Sequence, residues 1–347
     1  MDPWYQDAPV LVTGAQGFIG AWLAERLLAE GARVVVPRRD VDPHARFRIE
    51  GIEARCRVVD ADVTDYPKML RVLSEEGIRA VFHLAAQPIV GIANRAPLST
   101  FESNVRGTYA LLEACRARGV VGEPLERIVV ASSDHAYGRQ EVPYREDRGL
   151  VPEFPYDVSK GCTDLIARCY AETYEMPVAV TRLANVYGGG DRNWSRIVPD
   201  VARALVEERR PVIRSDGTPE RDYLYVEDAV EVYLAVARSL DSPELRGRAW
   251  NAGHGRPVAV LELVRRLIAV SAKDVEPEVR GRGTPHGEID RQYLDPSRIR
   301  EELHWEPRWD LDRGLAAAYA WYERHLAGVP AEPVPAFAFG GRKAPKR

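Results

Sequence analysis

The stretch that most constrains this chain lies near its start. Val10-Leu11-Val12 runs into Thr13-Gly14-Ala15-Gln16-Gly17-Phe18-Ile19-Gly20, and a helical pattern with Trp22, Leu23, Leu27 and Leu28 on its apolar face follows. A β-branched run, a glycine turn and an amphipathic helix in direct succession are the opening unit of a parallel sheet. Gly14 permits the tight turn, Gly17 lets the backbone approach a pyrophosphate, and Gly20 allows close packing of helix on strand. The unpaired N–H groups at the helix start then face the anion. The spacing is G-x-x-G-x-x-G, one residue longer than the usual dinucleotide fingerprint. On this reading Gly14, Gln16, Gly17, Phe18, Ile19 and Gly20 cradle a dinucleotide.

The unit then repeats. Strand patterns fall at 10–12, 33–36, 57–59, 80–84, 128–131 and 178–182, with helical patterns at 19–30, 67–76, 100–118 and 159–174 between them. Strand–helix alternation at this spacing predicts an α/β protein with a Rossmann-type doubly wound parallel sheet covered on both faces. After about residue 188 short elements dominate, apart from a helix at 226–239. A chain of 347 residues exceeds the usual single core. We therefore expect a dinucleotide-binding domain over 1–188, with 222–252 returning to it. A smaller C-terminal substrate-binding lobe takes 189–221 and 253–327, and 328–347 form a Pro/Ala/Gly-rich mobile tail.

Composition excludes several classes. A formal net charge of −4 gives no nucleic-acid or anionic-membrane footprint. Cys56, Cys115, Cys162 and Cys169 form no C-x-x-C pair and the histidines are scattered, so no metal site is expected. The opening Met1-Asp2-Pro3-Trp4-Tyr5 lacks the pattern of a secretory leader, and no apolar run is long enough to span a bilayer. A cytoplasmic protein with reduced thiols follows as the expectation.

The second strand ends in Val36-Pro37-Arg38-Arg39-Asp40, where an acid would hold a ribose 2′-hydroxyl and an arginine would suit a 2′-phosphate. Arg38 can also stack on adenine, so NAD and NADP both stay open. After the third strand, Asp62 next to Val63 is placed either to accept from an adenine amino group or to cap the helix behind it.

Of 48 basic side chains only Lys68, Lys160, Lys273, Lys343 and Lys346 are lysines. Lys160 stands four residues after Tyr156, on the same helical face. An ammonium near a phenol favours the phenolate and lowers its pKa, fitting Tyr156 to take a proton from an alcohol. An arginine would substitute poorly there. The strand at 128–131 ends in Ser132-Ser133-Asp134-His135. Strand C-termini are where open α/β sheets bind ligands. Ser133 is placed to bond the reacting hydroxyl, with two titratable groups directly after it.

Together these motifs resemble the extended short-chain dehydrogenase/reductase family, in its nucleotide-sugar epimerase/dehydratase branch. The resemblance is carried by Thr13-Gly14-x-x-Gly17-Phe18-Ile19-Gly20, His83-Leu84-Ala85-Ala86-Gln87, Asn104, Ser133, Tyr156-x-x-x-Lys160 and Arg182-x-x-Asn185-Val186-Tyr187-Gly188. It continues through Arg221-Asp222-Tyr223-x-Tyr225-Val226-Glu227-Asp228, Trp250-Asn251-Ala252-Gly253 and Asp295-x-Ser297-Arg298. Within the branch, Pro155-Tyr156-Asp157-Val158-Ser159-Lys160 and Tyr187-Gly188-Gly189-Gly190-Asp191 look most like CDP-glucose 4,6-dehydratases.

The resemblance implies NAD bound by the glycine turn, Arg38, Asp62, Val63, Leu84, Ala85, Ala86, Tyr156 and Lys160. It also implies a nucleotide-diphosphate sugar held by Asn185, Arg196 and Arg221, with Asn193 and Arg214 lining the cleft. Gln87 and Asn104 either orient substrate or support the site. A homodimer through the helices at 100–118 and 159–174 is the expected assembly. Family dehydratases carry Ser/Thr, Asp, then Glu or Lys at the strand end, the Asp being the acid and the third residue the base. Here the triplet is Ser133-Asp134-His135, so a histidine, itself a competent base near neutrality, stands in the base position. The rival activity is 4-epimerisation, and a non-catalytic dinucleotide sensor is the reading outside enzymology.

Overall fold

The computed structural model describes residues 2–283 and 289–326, so the expected tail at 328–347 lies outside the described residues. Its centre is a seven-stranded parallel sheet. The strands are β1 (Pro9–Thr13), β2 (Arg33–Arg38), β3 (Arg57–Asp60), β4 (Ala80–His83), β5 (Arg127–Ala131), β6 (Val178–Leu183) and β7 (Ala249–Ala252). Their spatial order is β7-β6-β5-β4-β1-β2-β3, and every pairing is parallel. β1, β4, β5 and β6 are buried along their whole length. Continuous burial is what a sheet covered on both faces requires.

Helices α1 (Phe18–Ala29), α2 (Tyr66–Glu75), α4 (Pro155–Tyr174) and α5 (Val226–Ser239) lie within a residue or two of the expected spans, except that α4 begins four residues earlier. The expected helix at 100–118 is longer and interrupted. This element, α3, covers 97–121, with α-helix at Pro97–Phe101 and Gly107–Val121 and a π turn at Glu102–Arg106 between them. The turn leaves the Asn104 carbonyl to accept from the hydroxyls of Thr108 at 2.6 Å and Thr163 at 3.2 Å, which ties α3 to α4. Turns of this kind occur mostly at functional sites.

One core, built from Leu23, Leu27, Val12, Phe82 and Trp250, fills the space between the sheet and α1 with α5. Another, with Leu73, Leu111, Leu112 and Val130, lies under α2, α3 and α4 on the opposite face. A third core belongs to the C-terminal half, where helices Ile197–Val206, Val260–Ser271 and Leu311–Leu326 pack together. Helix Leu311–Leu326 also bonds the loop at 188–191. The Tyr322 hydroxyl lies at 3.2 Å from the Gly188 carbonyl and 2.8 Å from that of Asp191. Among the described residues no helix is long and apolar enough to cross a membrane. None of their His, Cys, Asp and Glu side chains group as a metal site would require, and the four cysteines are unbridged.

Candidate active site

The strand order reverses between β1 and β4, and the crevice beyond their carboxyl ends is where such sheets take ligands. Gly14 turns there with φ +74°. A Cβ at Gly14 would stand 2.8 Å from the Ala85 backbone nitrogen and 2.9 Å from the Leu84 carbonyl carbon. A Cβ at Gly20 would overlap the Gly14 carbonyl. The glycine turn and the loop of Leu84, Ala85 and Ala86 therefore touch through bare backbone. Thr13 fixes the junction: its hydroxyl accepts from the Leu84 and Ala85 amides, each at 3.1 Å, and donates to His83 Nδ1 at 2.8 Å. His83 Nε2 in turn donates to Thr108 at 3.1 Å, whose own proton goes to Asn104. Complete burial, with the Lys160 charge adding to it, lowers the His83 pKa to about 3, so this ring is neutral.

Gly17 caps α1 without any side-chain cap, and the first turn carries no acid. The amides and dipole at that helix start are left for an anion, so the residues present fit a pyrophosphate. Gln16 reaches across to donate to the Asp40 carbonyl at 2.7 Å. Phe18 faces Gly188, and Ile19 packs on the core beneath. Arg38, weighed as a 2′-phosphate ligand, is clasped by Asp60 at 2.7 Å and by Glu53 at 3.1 Å. Asp62 accepts from the Thr64 amide at 2.8 Å, and the helix cap considered for it belongs to Asp65 instead. Val63 abuts Gly107 of α3.

On the other side of the crevice, β5 delivers Ser133, Asp134 and His135 into a short turn, and the first two turns of α4 carry Tyr156 and Lys160. The Ser133 hydroxyl donates to Asp134 Oδ1 at 3.0 Å and accepts from the His135 amide at 3.2 Å. Asp134 is buried and its Oδ2 has no partner among the described residues. Burial raises the Asp134 pKa above the ordinary carboxylate value, although His135, the Ser133 hydroxyl and Arg221 pull the other way. The His135 ring stands edge-on to Tyr156, with centroids 5.4 Å apart.

Burial acts on Tyr156 and Lys160 against the direction that their spacing suggests. Burial pushes the phenol up to about 12, against the charge of Arg196 and the neighbouring Ser133 hydroxyl. Lys160 Nζ donates to the Ala131 carbonyl at 2.8 Å, and burial lowers its pKa to about 8. Among the charges that act on Tyr156, that of Arg196 favours the phenolate and those of Asp134 and Asp157 oppose it.

Arg196, paired with Asp191 at 3.0 Å, and Arg221, whose charge acts on both Asp134 and His135, thus flank the strand-end cluster. Asn185 donates its backbone N–H to the Asp222 carbonyl, and its side-chain Nδ2 is buried without a partner among the described residues. Other expected ligands are committed elsewhere. Gln87 spends its amide on Ile89 and Thr100, and Asn104 bonds Gln87 and Ser159. Asn193 closes a local turn on Ser195, and exposed Arg214 pairs with Asp200 at 3.2 Å. Sequence reading missed Asp157, whose Oδ1 lies 2.9 Å from His135 Nδ1, and it missed the Thr13–His83 clasp. The only signal for Asp157 was its place beside Tyr156.

A glycine anion cradle at the switch point, with Ser133, Tyr156 and Lys160 converging across the crevice, defines a dinucleotide-dependent enzyme of the short-chain dehydrogenase/reductase type. The chain belongs to the NAD dependent epimerase/dehydratase family, which matches residues 10–253, and NAD is its dinucleotide. Relatives include a CDP-glucose 4,6-dehydratase of Salmonella typhimurium, 29% identical with 93% of each chain covered. A dTDP-glucose 4,6-dehydratase of Streptomyces griseus is 33% identical over 94% of this chain and 99% of its own. Among solved structures, a UDP-glucose 4-epimerase of Stenotrophomonas maltophila with bound NAD superposes with a TM-score of 0.83. It is 27% identical and covers 92% of this chain and 99% of its own.

Proposed function

We propose that the protein is a cytoplasmic, homodimeric nucleotide-sugar 4,6-dehydratase acting on a hexose linked to a nucleoside diphosphate, with CDP-glucose the first candidate. The observation that carries this reading is the buried Asp134, an acid with one unpartnered oxygen, placed next to His135. Epimerisation at C4 requires neither an acid nor a second base beyond Tyr156. Dehydration requires both.

NAD, held by the Gly14–Gly20 cradle and the Leu84–Ala86 loop, supplies a hydride acceptor at C4 that also serves as the hydride donor at C6, so the reaction has no net oxidation. Tyr156 must act as the phenolate to accept the proton of the 4-hydroxyl as that carbon becomes a ketone; the Arg196 charge favours that form against the burial that opposes it. The 4-ketone acidifies the C5 hydrogen, which His135 removes. Asp134, whose pKa burial raises, is the acid assigned to give its proton to the departing 6-hydroxyl, which leaves as water. Arg221 and Asn185 are assigned to the sugar diphosphate. The apolar side chains Leu98 and Tyr109 of α3 and Leu165 of α4 are exposed, which supports pairing of two copies through these helices.

The test is incubation of purified protein with CDP-, dTDP-, UDP- and GDP-glucose in deuterated water without added cofactor. A 4-keto-6-deoxy product with deuterium at C5 is expected. A C4 epimer without deuterium establishes the epimerase instead. No turnover, with dinucleotide still bound, establishes a sensor.

A further inference from the structure

The replacement of the expected Glu or Lys by His135 has a counterpart elsewhere in the chain. His135 sits on the short turn after β5, and Asp157 lies 22 positions later as the third residue of α4. The fold brings Asp157 Oδ1 to 2.9 Å from His135 Nδ1. Asp157 is buried and the imidazole is half-buried, with 27% of its side chain exposed. A carboxylate only accepts hydrogen bonds, so the Nδ1 proton is the one shared. The neutral ring then carries its lone pair on Nε2, which has no protein partner among the described residues. Negative charge at Asp157 also suits the positive end of α4, in whose first turn it stands.

From this geometry, and resting on the dehydratase reading above, we propose that Asp157 is the positioning residue of the C5 base. It fixes His135 in the Nδ1–H tautomer and aims the Nε2 lone pair at the substrate. The logic is that of an acid–histidine pair, in which the carboxylate sets the tautomer and stabilises the imidazolium that forms. The charged and titratable groups facing His135 are Asp157, Asp134, Arg221 and the phenol of Tyr156. Burial disfavours the imidazolium, but the bond to Asp157 and the two carboxylates outweigh it, so the pKa lies above the ordinary histidine value. A base must be unprotonated to act. Turnover is therefore lost as the pH falls through that raised value.

The experiment compares wild type, Asp157→Asn, Asp157→Glu and His135→Gln. Asparagine keeps the shape but offers an N–H to Nδ1, which drives the ring to the Nε2–H tautomer. Deuterium incorporation at C5 should fall about 100-fold in Asp157→Asn, on the scale of a lost general base, with partial rescue in Asp157→Glu. The acid limb of the pH profile should move down by about one unit. Independently of any substrate, imidazole nitrogen NMR should report Nδ1–H at His135 in the wild type and Nε2–H in Asp157→Asn. His135→Gln identifies that resonance by its loss. Unchanged incorporation, pH limb and tautomer in Asp157→Asn would overturn the proposal while leaving the dehydratase intact. Absence of any C5 exchange in the wild type would remove the dehydratase reading and Asp157's role with it.

Discussion

The two sides of the crevice are built on different principles. The cofactor side is backbone: Gly14, Gly20, Leu84 and Ala85 meet without side chains between them, and the uncapped start of α1 supplies the charge. The opposite side is made of buried polar side chains. Arg182 holds Asp164 through two bonds of 2.8 and 2.9 Å and donates to the Tyr137 hydroxyl at 2.7 Å. Tyr137 reaches Asn251 at 2.8 Å, and it sits on the same turn as Asp134 and His135. A backbone cradle serves any member of a family that shares one cofactor. A side-chain frame can be altered residue by residue, and it is on this side that His135 departs from the resemblance.

The largest effect that would break this contrast is chemical. His135→Ala or Tyr156→Phe should lower turnover of the nucleotide sugar by about 10²–10⁴, the usual worth of a general acid or base. NAD affinity, measured by titration, should stay near the wild-type value for His135→Ala. Next comes the frame. Arg182→Met strips buried Asp164 of both its short bonds, leaving only the 3.9 Å contact with half-exposed Arg168, and should cost about 3–5 kcal/mol, read from the denaturant midpoint. Gly14→Ala should cost about 1–3 kcal/mol, because its φ of +74° and the contact with Leu84 and Ala85 admit no Cβ without movement. It should also weaken NAD binding, whereas Arg182→Met should act on NAD only through stability. The smallest effect is expected at Arg38→Ala. Its pairs with Asp60 and Glu53 lie near the surface and are worth about 0–1 kcal/mol. NAD affinity within a few-fold of wild type is the result consistent with a structural Arg38.

The same contrast explains what was legible in the sequence. Six of the seven strands, the glycine turn and most helix limits follow from local patterns, because each depends on neighbours in the chain. β7 has no β-branched residue in Ala249–Ala252 and is a strand only because β6 pairs with it. The π turn at Glu102–Arg106 leaves no mark in the periodicity of its helix. On the opposite side, Ser133, Asp134, Tyr156 and Lys160 announce themselves by spacing. Their protonation does not, since it depends on burial: the Tyr156 phenol is pushed up where spacing to Lys160 alone predicts a fall. The pairing of His135 with Asp157 crosses from one element to another and becomes visible only once α4 is packed against β5.

The central claim is that Asp134 and His135 turn a C4 oxidation into loss of water, and the fate of the C4 hydrogen tests it most directly. CDP-glucose labelled with deuterium at C4, followed by the other nucleotide glucoses, would be turned over and the product examined by NMR. The account predicts the label at C6 of a 4-keto-6-deoxy sugar. Label retained at C4 of an epimerised hexose would contradict it.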